Sequence, residues 1–317
     1  MTDWNSPLWN NVTERLRRGA MPHALLLSGP AGLGKRAFAT RLATWLLCEQ
    51  RGEQACGRCR GCLLVKAGSH PDRAHVGIEL RDDGKPRSEI VVEQIRVLNE
   101  RLSMTPQFGG FQVATIEPAD LMNTAAANAL LKTLEEPGSG TVIILVSDQP
   151  ARLPATIRSR CQRLDFTLPE RAVALAWLKS EGLNDAQTAL DAAAGNPGVA
   201  LELARGDGLA VRAEVVKDLA ALWAGKGSCA EVANRWAKAD GERRLWFAAQ
   251  VAASEGIASV AGTRGPLALT DPFDFNKLTP WFREAGRVRE LLRTPVRSEL
   301  LILELLLSWR ELAPRRT

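Results

Sequence analysis

A length of 317 residues indicates two or three domains rather than one. Apolar residues make up 45% and charged residues 24% of the chain, values that exclude a disordered, fibrous or membrane-spanning protein. The 41 Lys and Arg against 36 Asp and Glu give a net charge of +5, which permits contact with nucleic acid but is far below that of a histone-like binder.

The N-terminus shows neither a basic segment followed by an apolar core nor a small-residue cleavage site, and no run of eighteen apolar residues occurs. We therefore expect a cytoplasmic protein without membrane contact. Four of the six cysteines lie between residues 48 and 62, a pattern typical of metal binding in a reducing compartment. Cys161 and Cys229 are isolated and are expected to be buried structural thiols.

The first half of the chain alternates strand-like and helix-like segments. Short apolar runs predict five strands, at 24–28, 74–78, 113–116, 141–146 and 161–166. Apolar residues at helical spacing predict helices between them, at 35–48, 92–102 and 121–135. This alternation predicts an α/β fold, in which a mostly parallel sheet is covered on both faces and binds ligands at the carboxyl ends of its strands.

Two helical parts follow. Short helices predicted at 170–181, 185–194 and 199–204 are separated by Gly and Pro and indicate a small helical domain. Longer helices are predicted at 209–223, 229–236, 243–254, 278–292 and 298–312, with a loop at 262–274. The chain therefore divides into an α/β domain (1–166) with a cysteine-rich module at 48–68, a small helical domain (167–207) and an all-helical domain (208–317).

The segment 29–35, Gly-Pro-Ala-Gly-Leu-Gly-Lys, directly follows the first predicted strand and opens a helix. Gly29, Gly32 and Gly34 let backbone N–H groups converge on phosphate oxygens, the helix N-terminus adds a favourable dipole, and Lys35 supplies positive charge. We expect this loop to bind the phosphates of ATP or ADP. The alternative is a strand-to-helix turn that binds nothing.

Hydrolysis of ATP needs groups that this chain lacks. Arg36 occupies the position of the Ser or Thr that ligates Mg²⁺. The third predicted strand ends in Glu117-Pro118, where an acidic pair would bind metal and activate water, and a proline cannot act as a base. Asp120 is close in sequence, but its placement is open. We expect no hydrolysis by the isolated chain.

Four cysteines form a metal-binding pattern. Cys56, Cys59 and Cys62 are spaced by three residues, and Cys48 lies eight residues upstream, at the end of a predicted helix. A chain reversal bearing Cys-x-x-Cys points both sulfurs inward, and a fourth thiolate completes a tetrahedral Zn²⁺ shell. The pattern predicts structural zinc, because no Glu or His nearby has the spacing of a catalytic zinc motif.

Three alternatives to this site stay open. An iron–sulfur cluster is one, although Lys66 stands where the next cysteine of a ferredoxin pattern is required. His70 could replace Cys48 as the fourth ligand, although 70–72 is more simply explained as a turn into the next strand. Four core cysteines without metal are the third, in a segment whose arginines and glycines make a poor core.

Ser159-Arg160-Cys161 precedes the last predicted strand. An arginine fixed at the mouth of a sheet, away from its own phosphate loop, can reach a neighbouring subunit's nucleotide and stabilise charge on the transferring phosphoryl group. From spacing alone, an exposed arginine or a local ion pair is the favoured interpretation. Arg158 is the nearest competitor for the role.

These motifs together resemble the bacterial clamp-loader branch of the AAA+ ATPases. The resemblance rests on the phosphate loop, the cysteine cluster after the first helix, the segment 128–137 (Asn-Ala-Leu-Leu-Lys-Thr-Leu-Glu-Glu-Pro) and Ser159-Arg160-Cys161. It spans residues 29–161. It implies an AAA+ domain followed by a helical lid domain and a helical collar domain.

Departures from the branch's motor subunits imply a non-hydrolysing member. Those subunits keep the loop Ser or Thr and an Asp-Glu pair, where this chain has Arg36 and Glu117-Pro118. The segment 195–201 also lacks the ATP-sensing arginine that the resemblance places there. The same match makes Arg160 an arginine finger that acts in trans on a neighbouring motor subunit.

The resemblance also implies partners. It implies a hetero-oligomer with gamma or tau motor subunits and a delta subunit, which loads a sliding clamp on primed DNA during replication. The chain is then a stator within the DNA polymerase III holoenzyme, a nucleotidyltransferase, and is not catalytic alone. The amphipathic segment 298–312 is the candidate for the collar.

Two other functions compete with this interpretation. A self-sufficient ATPase would use Lys35 with Glu117 or Asp120 and would hydrolyse ATP in isolation. A zinc-dependent nucleic-acid-binding module would contact phosphates through Arg58 and Arg60. Neither explains 159–161 or the third, helical domain.

Overall fold

The computed structural model describes residues 3–108, 110–269, 275–292 and 294–313. The chain forms two compact units, one of residues 1–177 with 196–198 and one of residues 178–195 with 199–317. The three-part division at 166 and 207 stays a prediction. Positions 270–274 of the loop predicted at 262–274 lie outside the described residues.

Five parallel strands form one sheet in the first unit. They are β1 (Ala24–Ser28), β2 (Arg73–Val76), β3 (Gln112–Ile116), β4 (Thr141–Ser147) and β5 (Gln162–Asp165). Their order across the sheet is β2-β3-β4-β1-β5. In the register, Leu26 of β1 lies opposite Leu145 of β4 and Arg163 of β5. The parallel sheet with its covering helices confirms the predicted α/β fold class.

Two helical layers cover this sheet. The helices are α1 (Ser6–Arg17), α2 (Lys35–Leu46), α3 (Arg60–Lys66), α4 (Val92–Leu102), α5 (Thr124–Glu135) and α6 (Ala155–Arg158). Side chains alternate along each strand, so Leu25 and Leu27 of β1 pack with α1 and α2, whereas Leu26 packs with α4 and α5. Both faces are apolar because both are buried.

The remaining helices follow the sheet in sequence. They are α7 (Arg171–Ser180), α8 (Ala186–Ala192), α9 (Pro197–Arg205), α10 (Gly208–Trp223), α11 (Cys229–Lys238), α12 (Gly241–Val260), α13 (Phe275–Leu291) and α14 (Ser298–Glu311). Tryptophans fill the core of the second unit, where the ring centroids of Trp281 and Trp309 lie 4.8 Å apart. Trp309 Nε1 donates to the Leu219 carbonyl at 3.1 Å, so the buried ring keeps its hydrogen bond.

The predicted strands and the helix 92–102 agree with the structure to within two residues at each end. The helix predicted at 121–135 begins later, at Thr124, because the Asn123 side chain accepts a hydrogen bond from the Ala126 backbone and caps it. α3 and α6 are too short to show helical periodicity in the sequence. Within the described part of the chain, no helix is both long and apolar enough to cross a membrane.

Candidate functional site

The phosphate loop predicted at 29–35 lies between β1 and α2. Gly29, Gly32 and Gly34 have φ angles of +141°, +81° and +83°, a region that residues with a Cβ atom rarely adopt. At Gly29 a Cβ atom would also overlap the backbone carbonyl of Phe166. The loop therefore depends on its glycines, and it leads into the amino end of α2 as phosphate binding requires.

Lys35 is buried and folds back onto its own loop. Its Nζ donates to the carbonyl oxygens of Gly29 at 2.6 Å and Pro30 at 2.5 Å. It also forms an ion pair with Asp148 Oδ1 at 2.6 Å. A lysine ammonium has three donors, so all three are engaged within the chain. Asp148 neutralises the charge that the terminal phosphates of a nucleotide would otherwise meet.

Asp148 is a site residue that sequence reasoning missed. It directly follows β4, which pairs with β1 so that Ser147 lies opposite Ser28, the residue before the loop. Its backbone N–H donates to Asp120 Oδ1 at 3.1 Å, which settles the placement of Asp120 beside this strand end. An acidic residue immediately after a strand was the available signal, but it becomes informative only when the strand order is known.

Arg36 forms an ion pair with Glu117, the residue that follows β3. The arginine side chain is 73% exposed, whereas that of Glu117 is 13% exposed. A guanidinium therefore lies where a metal-ligating hydroxyl is needed, and it neutralises the carboxylate nearest to that position. Pro118 occupies the second acidic position, as the sequence indicated.

The segment 196–198 packs against the phosphate loop. Asn196 Nδ2 donates to the Ala31 carbonyl at 2.8 Å, and its Oδ1 accepts from the Gly198 backbone at 3.1 Å. A Cβ atom at Gly198 would overlap the carbonyl oxygen of Gly32. An asparagine and a glycine thus contact the loop backbone in the stretch where an ATP-sensing arginine was expected.

The four predicted cysteine ligands come together. All four Sγ atoms of Cys48, Cys56, Cys59 and Cys62 lie within 4.8 Å of one another. The Sγ atoms of Cys48 and Cys59 are 3.9 Å apart. Four sulfurs bound at ~2.3 Å around one tetrahedral ion are separated by ~3.8 Å, so the cluster can hold a single metal ion.

Backbone hydrogen-bond donors lower the pKa of thiols in this cluster, whereas burial raises it. N–H groups of Arg58 and Cys59 lower the pKa of the Cys56 thiol to about 6, whereas burial raises the pKa of the Cys62 thiol to about 12. A bound cation supplies the positive charge that Cys62 needs to ionise. The Cys59 backbone donates to Cys56 Sγ at 3.3 Å and the Cys62 backbone to Cys59 Sγ at 3.4 Å, which orients the sulfurs.

His70 does not belong to the group of side chains that could hold a metal ion. Its Nδ1 accepts from the Asp72 backbone at 3.1 Å and its ring lies 5.0 Å from that of Phe108. Burial lowers the pKa of His70. Cys48 therefore takes the fourth position in the cluster, and His70 packs as part of the turn into β2.

Arg160 lies just before β5, outside the phosphate loop. Its Nη2 forms an ion pair with Glu135 Oε1 at 2.5 Å, and its Nη1 donates to the Thr156 carbonyl at 2.9 Å. The side chain is 35% exposed. Arg158, the competing arginine, is exposed at the end of α6.

Sequence comparison identifies the family. The profile of the family described as "DNA polymerase III, delta subunit" matches residues 4–170. The DNA polymerase III subunit delta' of Pseudomonas aeruginosa is 39% identical over 238 residues, which cover 74% of this chain and 70% of that protein. The chain belongs to the DNA polymerase III delta' family.

Further relatives are also subunits of DNA polymerase III. The DNA polymerase III subunit delta' of Escherichia coli is 38% identical over 222 residues, covering 68% of this chain and 65% of that protein. The DNA polymerase III subunit tau of Bacillus subtilis is 34% identical over 145 residues, covering 45% of this chain and 24% of that protein. The site residues above thus belong to a delta' chain related to tau.

The cysteine cluster predicts one bound metal ion per chain. We expect Cys59→Ser to abolish metal retention. Loss of a structural metal should cost more than ~1 kcal/mol, and ~1 kcal/mol corresponds to roughly 2–4 °C for a unit of 150–250 residues, so the unfolding temperature should fall by more than ~4 °C. Metal content by mass spectrometry and thermal unfolding test this, with Cys161→Ser as the control that keeps its metal. Full metal content in Cys59→Ser would contradict the assignment.

Cys161 is predicted to react slowly with alkylating agents. Cys161 is half-buried against the core rather than fully buried as expected, and this desolvation raises the pKa of its thiol to about 12, so the thiol is mostly neutral below that pH. At pH 8 its thiolate fraction is ~10³-fold below that of an ordinary cysteine, and labelling should rise about tenfold per pH unit up to pH 10. Peptide mapping of carbamidomethylation tests this. Labelling of Cys161 in the folded protein as fast as in the urea-unfolded protein would refute this prediction.

Proposed function

We propose that this chain is the delta' subunit of a DNA polymerase III clamp loader and acts there as a stator that does not hydrolyse ATP. It assembles with gamma or tau motor subunits and a delta subunit in the cytoplasm, and the complex loads a sliding clamp on primed DNA. One observation carries the proposal. The phosphate loop keeps its fold, but its lysine is ion-paired to Asp148 within the chain.

Three features of the site support the absence of hydrolysis. The Mg²⁺-ligating hydroxyl is replaced by Arg36, which pairs with Glu117. Pro118 leaves no base at the second acidic position. No arginine is found in 195–201, the stretch that contributes Asn196 to the loop. Each of these losses removes a different requirement of the reaction, so restoring any one of them should not restore hydrolysis.

Nucleotide binding is a separate matter from hydrolysis. The loop glycines and the amino end of α2 still provide backbone donors for phosphate. Lys35 needs only to exchange Asp148 for a phosphate oxygen, and Asp148 is 42% exposed, so it can swing into solvent. We infer weak binding of ATP or ADP without turnover.

The position of Arg160 supports a role on a neighbouring subunit. β5 pairs with β1 so that Gln162 lies opposite Leu25 and Asp165 opposite Ser28. Arg160 precedes β5, whereas the phosphate loop follows β1, so the two lie at opposite edges of the sheet. Four strand steps from Gln162 to the level of Gly29 correspond to ~13 Å, which exceeds the reach of an arginine side chain. Arg160 therefore cannot reach a nucleotide in its own loop, which supports the proposed role on a neighbouring subunit.

Zinc is the proposed metal of the cysteine cluster. Four thiolates around one tetrahedral ion are the usual structural zinc site, and the sulfur spacing favours a single ion over an iron–sulfur cluster. Three of the four cysteines are buried. No coordination position is left for water, so the metal stabilises the module between α2 and α3.

The last helix supports a collar role for the C-terminal part. Leu300 and Leu307 of α14 are 52% and 38% exposed and lie seven residues apart, hence on one face of the helix. Leu303 lies between them and is half-buried. An exposed leucine stripe is suited to packing against helices of the partner subunits.

The two alternatives have distinct signatures. A self-sufficient ATPase requires Lys35 with Glu117 or Asp120 for chemistry. Lys35 and Glu117 are engaged in ion pairs, and Asp120 accepts a hydrogen bond from the Asp148 backbone. A zinc-dependent nucleic-acid-binding module requires Arg58 and Arg60, of which Arg60 lies over the Phe108 ring at 4.9 Å. ATP turnover by the isolated chain, or metal-dependent DNA binding at low salt, would revive one or the other.

Asp148→Asn is predicted to tighten nucleotide binding. A hydrogen bond to a charged group is worth ~1.5–3 kcal/mol, so freeing Lys35 should raise ATP affinity by about tenfold or more. Hydrolysis should stay absent, because Arg36 and Pro118 remain. Equilibrium binding of a fluorescent ATP analogue tests this, with Lys35→Ala as the non-binding control. Unchanged affinity in Asp148→Asn would contradict the account of the loop.

Arg160→Ala is predicted to impair ATP hydrolysis by a reconstituted loader. An arginine finger contributes ~10³-fold or more at the site it serves, so the clamp- and DNA-stimulated rate should lose the contribution of that site. The matched control is Arg158→Ala, two residues away and equally cationic. Equal single-turnover rates for Arg160→Ala and the unchanged chain, with intact assembly, would confine this subunit to scaffolding.

A further inference from the structure

Glu135 holds the side chain of Arg160 and has no role in the function proposed above. Glu135 Oε1 pairs with Nη2 of the guanidinium at 2.5 Å, and the Thr156 carbonyl accepts from Nη1 at 2.9 Å. A guanidinium has five N–H donors. Two are used in these contacts, and the other three have no partner among the residues that the structure describes.

Both partners belong to anchored elements. Glu135 is the last residue of α5, whose preceding Leu134 is 1% exposed. Thr156 belongs to α6, where the adjacent Ile157 is fully buried. Leu134 and Ile157 are part of the same apolar core. The backbones that carry the Glu135 carboxylate and the Thr156 carbonyl are thus anchored in one core.

The place of Glu135 is unfavourable in the absence of a nearby cation. The carboxyl end of a helix carries partial negative charge, which disfavours acidic side chains there. Glu135 and Glu136 both lie at the end of α5, and the Arg160 guanidinium compensates the first of them. Among the described residues, no ion pair involves Glu136. The two adjacent carboxylates therefore differ in their contact with Arg160.

We propose that Glu135 is a positioning residue for Arg160. It holds one edge of the guanidinium against α5, so that the remaining donors face outward toward the nucleotide of a neighbouring subunit. The pair is half-exposed and contributes little to folding stability, so a phosphoryl group can compete for the arginine. This inference rests on the proposed role of Arg160 in trans.

The test uses the reconstituted loader with ATP, sliding clamp and primed DNA. Four variants of this chain are compared with the unchanged subunit: Glu135→Ala, Glu136→Ala, Arg160→Ala and the double variant Glu135→Ala/Arg160→Ala. We expect Glu135→Ala to lower kcat about tenfold while KM for ATP, subunit assembly and thermal unfolding stay unchanged. Glu136→Ala should match the unchanged subunit, and Glu135→Gln, which keeps an acceptor oxygen, should fall between.

The double variant separates positioning from a general structural effect. If Glu135 acts only through Arg160, adding Glu135→Ala to Arg160→Ala causes no further loss. A further loss in that background would overturn the inference, as would equal kcat for Glu135→Ala and Glu136→Ala while Arg160→Ala is impaired. If Arg160→Ala itself has no effect, the proposed role of Arg160 in trans fails and the inference fails with it, while the scaffolding role of the subunit is unaffected.

Discussion

The central position of β1 is the constraint on which the candidate sites depend. Every residue of this strand is buried, and it pairs in parallel with β4 on one side and β5 on the other. Because all strands run in the same direction, everything that follows a strand meets at one edge and everything that precedes a strand meets at the other. The phosphate loop and Asp148 therefore converge at one edge, and Arg160 lies at the opposite one.

The fold of the loop and its chemistry are independent of each other. Gly29, Gly32 and Gly34 adopt positive φ angles, which glycine can do whatever charges surround the loop. The chemistry depends on the charges around the loop, where Lys35 and Arg36 are each matched by a carboxylate. A delta' chain can consequently keep the framework of an ATPase module while its cations are neutralised internally, because neither ion pair disturbs the backbone.

Features that depend on residues close together in the sequence could be predicted from the sequence. The cysteine cluster was predictable because its four ligands lie within fifteen residues, and a short connection limits where the sulfurs can go. Most strands were predictable because burial on both faces makes each of them a short apolar run, and most helices because burial of one face imposes a period of 3.6 residues. The shorter helices α3 and α6 were not, since one or two turns carry no measurable periodicity.

The sequence by itself determined the α/β fold class, the phosphate loop, the missing hydroxyl and acid, the four cysteines and the arginine before β5. Only the tertiary structure decided what those groups touch. Asp148 reaches Lys35 because β4 is the neighbour of β1, and Asn196 reaches Ala31 across 165 residues of chain. Glu135 meets Arg160 because α5 and α6 share one core. Strand order and helix packing arise from contacts remote in sequence, and a local apolar pattern shows which face is buried but not which element buries it.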